Sequence, residues 1–81
     1  MRITVKLFAS FREATGSSQS VVDITSGTTI SQLWSDLAEQ YPRLAPMTSS
    51  AAFAVNGEYT RKDVTLQDGD EVAFLPPVSG G

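Results

Sequence analysis

The chain has 81 residues, 41% of them hydrophobic and 19% charged, with a formal net charge of −3. This length and composition predict one folded domain, and the weakly acidic balance argues against a nucleic-acid partner. Neither cysteine nor histidine occurs, which excludes a disulfide scaffold, a cysteine nucleophile and the commonest general base and metal ligand. No apolar run approaches the roughly 20 residues that cross a bilayer, and the start lacks a signal-peptide pattern. We therefore expect no membrane contact and a cytoplasmic location.

An alternating pattern opens the chain and predicts a strand over residues 2–8 with one buried face. The apolar face carries Ile3, Val5 and Leu7, and the opposite face carries Thr4, Lys6 and Phe8. We therefore expect Phe8 to form exposed aromatic surface. Residues 9–16 predict a short helical turn that ends at Gly16, and residues 19–24 predict a second strand antiparallel to the first.

The clearest periodicity predicts an amphipathic helix in the middle of the chain. Its apolar stripe consists of Ile30, Leu33, Trp34, Leu37, Ala38 and Tyr41. Thr29 and Gln32 predict a capping box at its start, and Pro42 ends it because the residue before a proline avoids the helical region. We expect Trp34 to anchor the core. The proline-bearing, polar residues 43–50 predict a loop.

Two turn signals organise the second half. Asn56-Gly57, between residues 52–55 and 58–60, predicts a hairpin with a type I′ turn. Val64 and Leu66 are expected to point inward from an otherwise polar stretch. Residues 68–70 predict a turn rather than a calcium loop, because the longer ligand pattern of such a loop is missing. In the last strand, residues 71–75, Val72 and Phe74 share one face, while Glu71, Ala73 and Leu75 share the other.

This order of elements predicts an α+β fold in which one main helix covers one face of a mixed sheet. The first and last strands are expected to pair in parallel at the centre of the sheet. That arrangement is the ubiquitin-like β-grasp fold. The predicted domain spans residues 1–75, and residues 76–81 form a flexible C-terminal Gly-Gly tail.

The tail is the only plausible chemical group that the sequence offers. Pro76 and Pro77 cannot continue a central strand, and Gly80 and Gly81 make a tip without side chains. A frayed terminus explains the glycines alone. A functional α-carboxylate on Gly81 also explains the prolines, because a stiff, extended lead costs less entropy when it enters a partner's channel. The residues expected to insert are Pro76, Pro77, Val78, Ser79 and Gly80.

Residues 68–81 (DGDEVAFLPPVSGG) resemble the C-terminus of the small, sulfur-carrying subunit of molybdopterin synthase, the MoaD family. Residues 5–13 (VKLFASFRE) and the hairpin at residues 55–57 resemble that family too, so the similarity covers essentially the whole chain. It implies that a MoeB-like adenylyltransferase, similar to ubiquitin-activating enzymes, adenylates Gly81 with ATP and Mg²⁺. A persulfide donor then leaves a thiocarboxylate. No cofactor or metal is expected on this chain itself.

The resemblance also implies a recipient and a docking surface. The thiocarboxylated tail would enter the large (MoaE-like) subunit of a heterotetramer and pass sulfur to cyclic pyranopterin monophosphate. The catalytic side chains would lie on the large subunit. Alternation places Phe8 and Leu75 on the outer sheet face, where docking is expected, and the resemblance adds Arg12 and Tyr59.

Three alternative functions remain open on the sequence. A ThiS-like carrier for thiamine thiazole synthesis, or a carrier for transfer-RNA thiolation, would use the same chemistry at Gly81 with another recipient. A ubiquitin-like modifier would instead join Gly81 to lysines of other proteins. In the third alternative the chain is a β-grasp binding module whose tail is incidental.

Overall fold

The computed structural model describes residues 1–76, so the predictions for Pro77, Val78, Ser79, Gly80 and Gly81 fall outside the described residues. In chain order the elements are strand β1 (Arg2–Leu7), helix α1 (Ala9–Thr15), strand β2 (Gln19–Asp23), helix α2 (Ile30–Gln40), a 3₁₀ helix (Pro42–Ser50), and strands β3 (Ala52–Val55), β4 (Glu58–Tyr59) and β5 (Glu71–Leu75). The predicted bounds of the strands and of the two α-helices differ from these by at most about one residue, which is within the usual fraying of element ends.

The strands form one five-stranded mixed sheet in the order β2-β1-β5-β3-β4. β1 and β5 pair in parallel at the centre, with Val5 opposite Val72, and the other neighbouring pairs are antiparallel. This topology confirms the predicted α+β class and its parallel central pair. Because β5 is a central strand, the chain leaves the sheet from the middle rather than from an edge.

Helix α2 begins at the predicted capping box. The hydroxyl of Thr29 accepts the backbone N–H of Gln32 at 3.2 Å, and the Gln32 side chain accepts the backbone N–H of Thr29 at 2.9 Å. Helix, 3₁₀ segment and sheet enclose one core, whose buried side chains are Ile3, Val5, Leu7, Phe11, Ile30, Leu33, Trp34, Leu37, Leu44, Ala51, Phe53, Leu66, Val72 and Phe74. Of the two predicted inward anchors, Leu66 is buried and Val64 only half-buried. Within residues 1–76 no helix has the length and apolar character needed to span a bilayer.

Trp34 anchors this core, as predicted. Its ring centroid lies 5.1 Å from those of Phe11 and Phe74 and 6.0 Å from that of Phe53. Its indole N–H donates to the hydroxyl of the exposed Thr48 at 2.8 Å, so the polar end of this buried ring has a partner at the border of the core.

The loop prediction for residues 43–50 was wrong, because the segment is a 3₁₀ helix. Pro42 stands at its first turn, where the missing N–H costs nothing. Leu44 is buried, and the hydroxyl of Thr48 donates to the carbonyl of Ala45 at 2.9 Å. The burial of Leu44 and this local hydrogen bond stabilise the 3₁₀ helix. Pro46, which lacks a backbone N–H, prevents the segment from forming an α-helix instead.

Side-chain hydrogen bonds connect the two predicted turns, at Asn56-Gly57 and at residues 68–70. Asn56 and Gly57 have φ of 51° and 86°, as a type I′ turn requires. The Asn56 side chain accepts the backbone N–H of Glu71 at 3.0 Å and donates to the Asp70 carboxylate at 3.0 Å. The other oxygen of Asp70 accepts the N–H of Gln67 at 2.8 Å. The acidic turn therefore serves hydrogen bonding, and no metal-binding cluster of acidic residues occurs in the described part of the chain.

Candidate functional site

The sheet face opposite α2 carries the candidate site. The core lies on the inner face, so alternate residues of each strand point outward. On this outer side three large hydrophobic side chains are exposed: Phe8 by 43%, Val21 by 58% and Tyr59 by 77%. Phe8 lies beside the end of β5 and Tyr59 on β4, whereas Val21 lies on the far edge strand β2. Exposed apolar side chains near the end of β5 are the pattern expected for a docking face.

A shallow groove of about 260 Å³ runs across the outer face of the four strands β1, β5, β3 and β4. Its lining consists of Lys6, Phe8, Ala54, Gly57, Tyr59, Glu71, Ala73 and Leu75. The floor is made of small residues, because Ala54 lies opposite Ala73 in the pairing of β3 with β5. Larger apolar side chains stand around this floor. The groove therefore offers an apolar depression into which a partner can place a side chain.

One ion pair gives the groove a polar rim. Lys6 Nζ lies 3.4 Å from a carboxylate oxygen of Glu71, and the two side chains are 37% and 48% exposed. A pair this accessible adds little to the stability of the fold. It leaves polar groups at the border of an apolar depression, which is the usual arrangement of a protein-binding surface.

The chain leaves the sheet beside this groove. Leu7 lies opposite Phe74 in the parallel pairing of β1 with β5. Phe8 directly follows β1 and Leu75 is the last residue of β5, so the two lie side by side, and both line the groove. β5 ends at Leu75, and Pro76 stands outside it because a proline has no N–H for the ladder.

A strained backbone position separates Phe8 from Phe11. Ala9 has a φ of 50°, in the left-handed region that residues with a Cβ rarely adopt. The chain turns sharply there, directly after the extended Phe8. Phe8 consequently faces the groove, whereas Phe11, only one helical turn later, is fully buried in the core.

The structure brings together three of the four residues that were predicted for the docking surface. Phe8, Tyr59 and Leu75 line one groove, whereas Arg12 lies exposed on α1 and is not among the lining residues. Their role in docking stays a prediction. The alternating pattern placed Lys6, Glu71 and Ala73 on this face but did not predict that they line a docking surface. The sequence did not predict that Ala54 and Gly57 line the groove, because only the strand order shows that β3 and its turn lie beside β5.

Comparison with known proteins gives the family. A model of the ThiS family matches residues 5–81. The molybdopterin synthase sulfur carrier subunit of Arabidopsis thaliana is 37% identical over 81 residues, which cover 100% of this chain and 84% of that protein.

Two solved structures share the ubiquitin-like β-grasp fold with this chain. SAMP1 from Haloferax volcanii has a TM-score of 0.85 at 29% identity, with 100% of both chains covered. A putative molybdopterin converting factor subunit 1 from Pyrococcus furiosus has a TM-score of 0.86 at 27% identity, with 96% of this chain and 99% of that one covered. The chain therefore belongs to the ThiS family, and its predicted kinship with the MoaD-type small subunits is confirmed.

Proposed function

We propose that this chain is the sulfur carrier of a molybdopterin synthase and that Gly81 carries the sulfur. One observation carries the proposal: the chain is 37% identical along its whole length to a plant protein that bears this name. The family match also extends to residue 81, so it includes the glycine tip. The cytoplasm is the proposed site of action.

The proposed chemistry takes place at the α-carboxylate of Gly81. A carboxylate is a poor electrophile, so an activating partner that binds ATP and Mg²⁺ adenylates it and releases pyrophosphate. A persulfide sulfur from a donor protein displaces AMP, and reduction of the resulting acyl disulfide by a thiol leaves a thiocarboxylate. The large subunit, which supplies the catalytic side chains, then uses this sulfur on cyclic pyranopterin monophosphate. This chain needs no cofactor of its own.

In this proposal the folded domain binds the partner and thereby positions the tail. The groove lined by Phe8, Tyr59 and Leu75 binds the large subunit and fixes where the tail begins. Residues 76–81 reach at most about 20 Å beyond β5 when fully extended, at roughly 3.3 Å per residue. A tail of this reach delivers its tip to a site that lies inside the partner, away from the docking surface. The large subunit and the carrier together form the expected heterotetramer.

The intact mass of the protein tests the chemistry. After incubation with an adenylating partner, ATP, Mg²⁺, a persulfide donor and a thiol, we expect a gain equal to the difference between sulfur and oxygen, located on Gly81. A chain without Gly81, and a chain with one residue added after it, serve as matched controls and should gain nothing. A wild-type chain that gains no sulfur with an active partner would refute the proposal.

A second candidate function rests on the likeness to SAMP1, a small archaeal modifier protein, at 29% identity. In that case Gly81 forms isopeptide bonds with lysines of other proteins. The two functions use the same activated intermediate and differ in what attacks it. Cells that express an epitope-tagged chain distinguish them, because the modifier predicts covalent conjugates through Gly81, whereas the carrier predicts a free thiocarboxylate and no conjugates.

A further inference from the structure

The free edge of β2 is a second surface with a defined hydrogen-bonding pattern. In the pairing of β1 with β2, Met1 exchanges backbone bonds with Ile24, and the N–H of Leu7 donates to the carbonyl of Ser18. Bonded pairs alternate along an antiparallel ladder, so Ser20 and Val22 also direct their backbone groups toward β1. Gln19, Val21 and Asp23 therefore direct theirs away from the sheet. Within residues 1–76 no other backbone group is bonded to them, and the Gln19 carbonyl accepts one bond, from the hydroxyl of Ser17 at 3.0 Å, which leaves its second lone pair for another N–H.

This edge carries little of the usual protection against strand pairing. Natural edge strands are short, or carry charged side chains (lysine above all), proline or a bulge, and β2 has a single charge, Asp23 at its end. The opposite edge, β4, is only two residues long. β2 is five residues long, contains neither lysine nor proline, and pairs with β1 in unbroken register. Its central residue, Val21, is apolar and 58% exposed.

The edge is complementary to itself. If two copies of β2 pair antiparallel about a two-fold axis at Val21, each Val21 lies opposite the other, and each Gln19 lies opposite Asp23 of the second copy. Each of these pairs then exchanges two N–H···O bonds, because these residues carry the outward backbone groups. The only charged side chain of the strand, Asp23, meets a neutral amide, and its own Arg2 lies 3.6 Å away. No like charges face each other in this register.

The inner side of the same edge also fits a second copy. A crevice of about 160 Å³ lies between β2 and the end of α2. Ser20, Val22, Leu37 and Tyr41 are among its lining residues. In the symmetric register Val22 of one copy lies opposite Ser20 of the other, at the border of that crevice. The half-buried Val22 is thus covered further on the inner face, while Val21 meets Val21 of the second copy on the outer face.

From these observations we infer that the chain self-associates through β2, by symmetric antiparallel pairing centred on Val21. The two sheets then join into one, and the two grooves stay accessible because each runs over β1, β5, β3 and β4 and has no lining residue on β2. A contact of five residues a side is much smaller than a standard protein interface. The dimer is therefore weak, reversible and populated at high protein concentration.

Sedimentation velocity over a concentration series tests this inference. We expect the wild-type chain to shift from monomer to dimer, and amide chemical shifts that change on dilution to cluster in residues 19–23. Val21→Lys and Val21→Glu should each weaken the dimer by about threefold to tenfold, because the apolar Val21 pair is lost and like charges then lie directly opposite. Val21→Thr keeps the shape and strand propensity of the side chain and is the matched control. Circular dichroism checks that all three variants fold.

The decisive experiment mixes the two charged variants. An equimolar mixture of Val21→Lys and Val21→Glu should form a heterodimer at least as readily as the wild type, since only a register with residue 21 opposite itself brings the new charges together. A wild-type chain that stays monomeric at millimolar concentration, or a mixture that associates no better than its components, would overturn the inference. The sulfur-loading of Gly81 is measured separately and does not depend on either result.

Discussion

Two phenylalanines one helical turn apart allow docking to be separated from folding. Phe8 lines the groove and is 43% exposed, whereas Phe11 is fully buried against Trp34. Full burial of a phenylalanine stabilises a protein by about 1.5–3 kcal/mol, so the half-covered Phe8 contributes roughly 1 kcal/mol. Truncation of a buried phenylalanine, which also leaves a cavity, costs about 3–5 kcal/mol. A domain of this size has a total stability of roughly 4–12 kcal/mol.

We therefore expect Phe8→Ala to lose about 1 kcal/mol of unfolding free energy and Phe11→Ala about 3–5 kcal/mol. Urea unfolding followed by the fluorescence of Trp34 measures both. Phe8→Ala should in addition weaken binding to the large subunit of molybdopterin synthase by about tenfold or more, as expected for an aromatic anchor at a protein interface. Titration calorimetry measures that affinity. A folded Phe8→Ala variant that binds with wild-type affinity would contradict a docking role for Phe8, and equal losses of stability in the two variants would contradict the difference in burial between Phe8 and Phe11.

Three further predictions concern residues that shape the groove and the core. Asn56→Gly should cost about 1–2 kcal/mol of unfolding free energy, because it removes the side-chain bonds to Asp70 and Glu71 but keeps the turn. Asn56→Ala should cost more, because alanine also resists the positive φ of this position. Equal losses in the two variants would contradict a contribution of the turn conformation. Thr48→Val should cost about 1–3 kcal/mol by leaving the indole N–H of Trp34 without an acceptor, whereas Thr48→Ser keeps the hydroxyl, and thermal unfolding compares them. Ala9→Gly should raise the unfolding free energy by up to about 1 kcal/mol, because glycine adopts the φ of 50° without strain, and a clear loss in urea unfolding would show that Ala9 is not strained.

Local patterns in the sequence were sufficient to predict most of the fold. The period of two in β1 and the helical stripe of α2 depend on neighbouring residues, and so does the capping box at Thr29. The Asn56-Gly57 turn has a conformational requirement that few other residues meet. For these elements the local preference and the tertiary structure agree, so the sequence alone was enough.

The parts that could not be predicted depend on residues distant in the chain. The 3₁₀ helix is secured by buried Leu44 and by the bond between Thr48 and Trp34, and neither is visible in its proline-rich sequence. The groove requires the hairpin of β3 and β4 to lie beside β5, which brings Tyr59 to the same depression as Phe8. Alternation assigns a side chain to a face of the sheet but does not say which side chains meet on it.

In the proposed function, Gly81 donates sulfur to a molybdopterin precursor. The most direct measurement mixes the thiocarboxylated chain with the large subunit and cyclic pyranopterin monophosphate, and follows the pterin product and the intact mass of the carrier together. We expect a dithiolene-bearing product to form while the carrier returns to the mass of its carboxylate form, and no product from a chain that lacks Gly81. A thiocarboxylated carrier that keeps its sulfur in this mixture, yet loses it to a thiazole synthase, would contradict the claim.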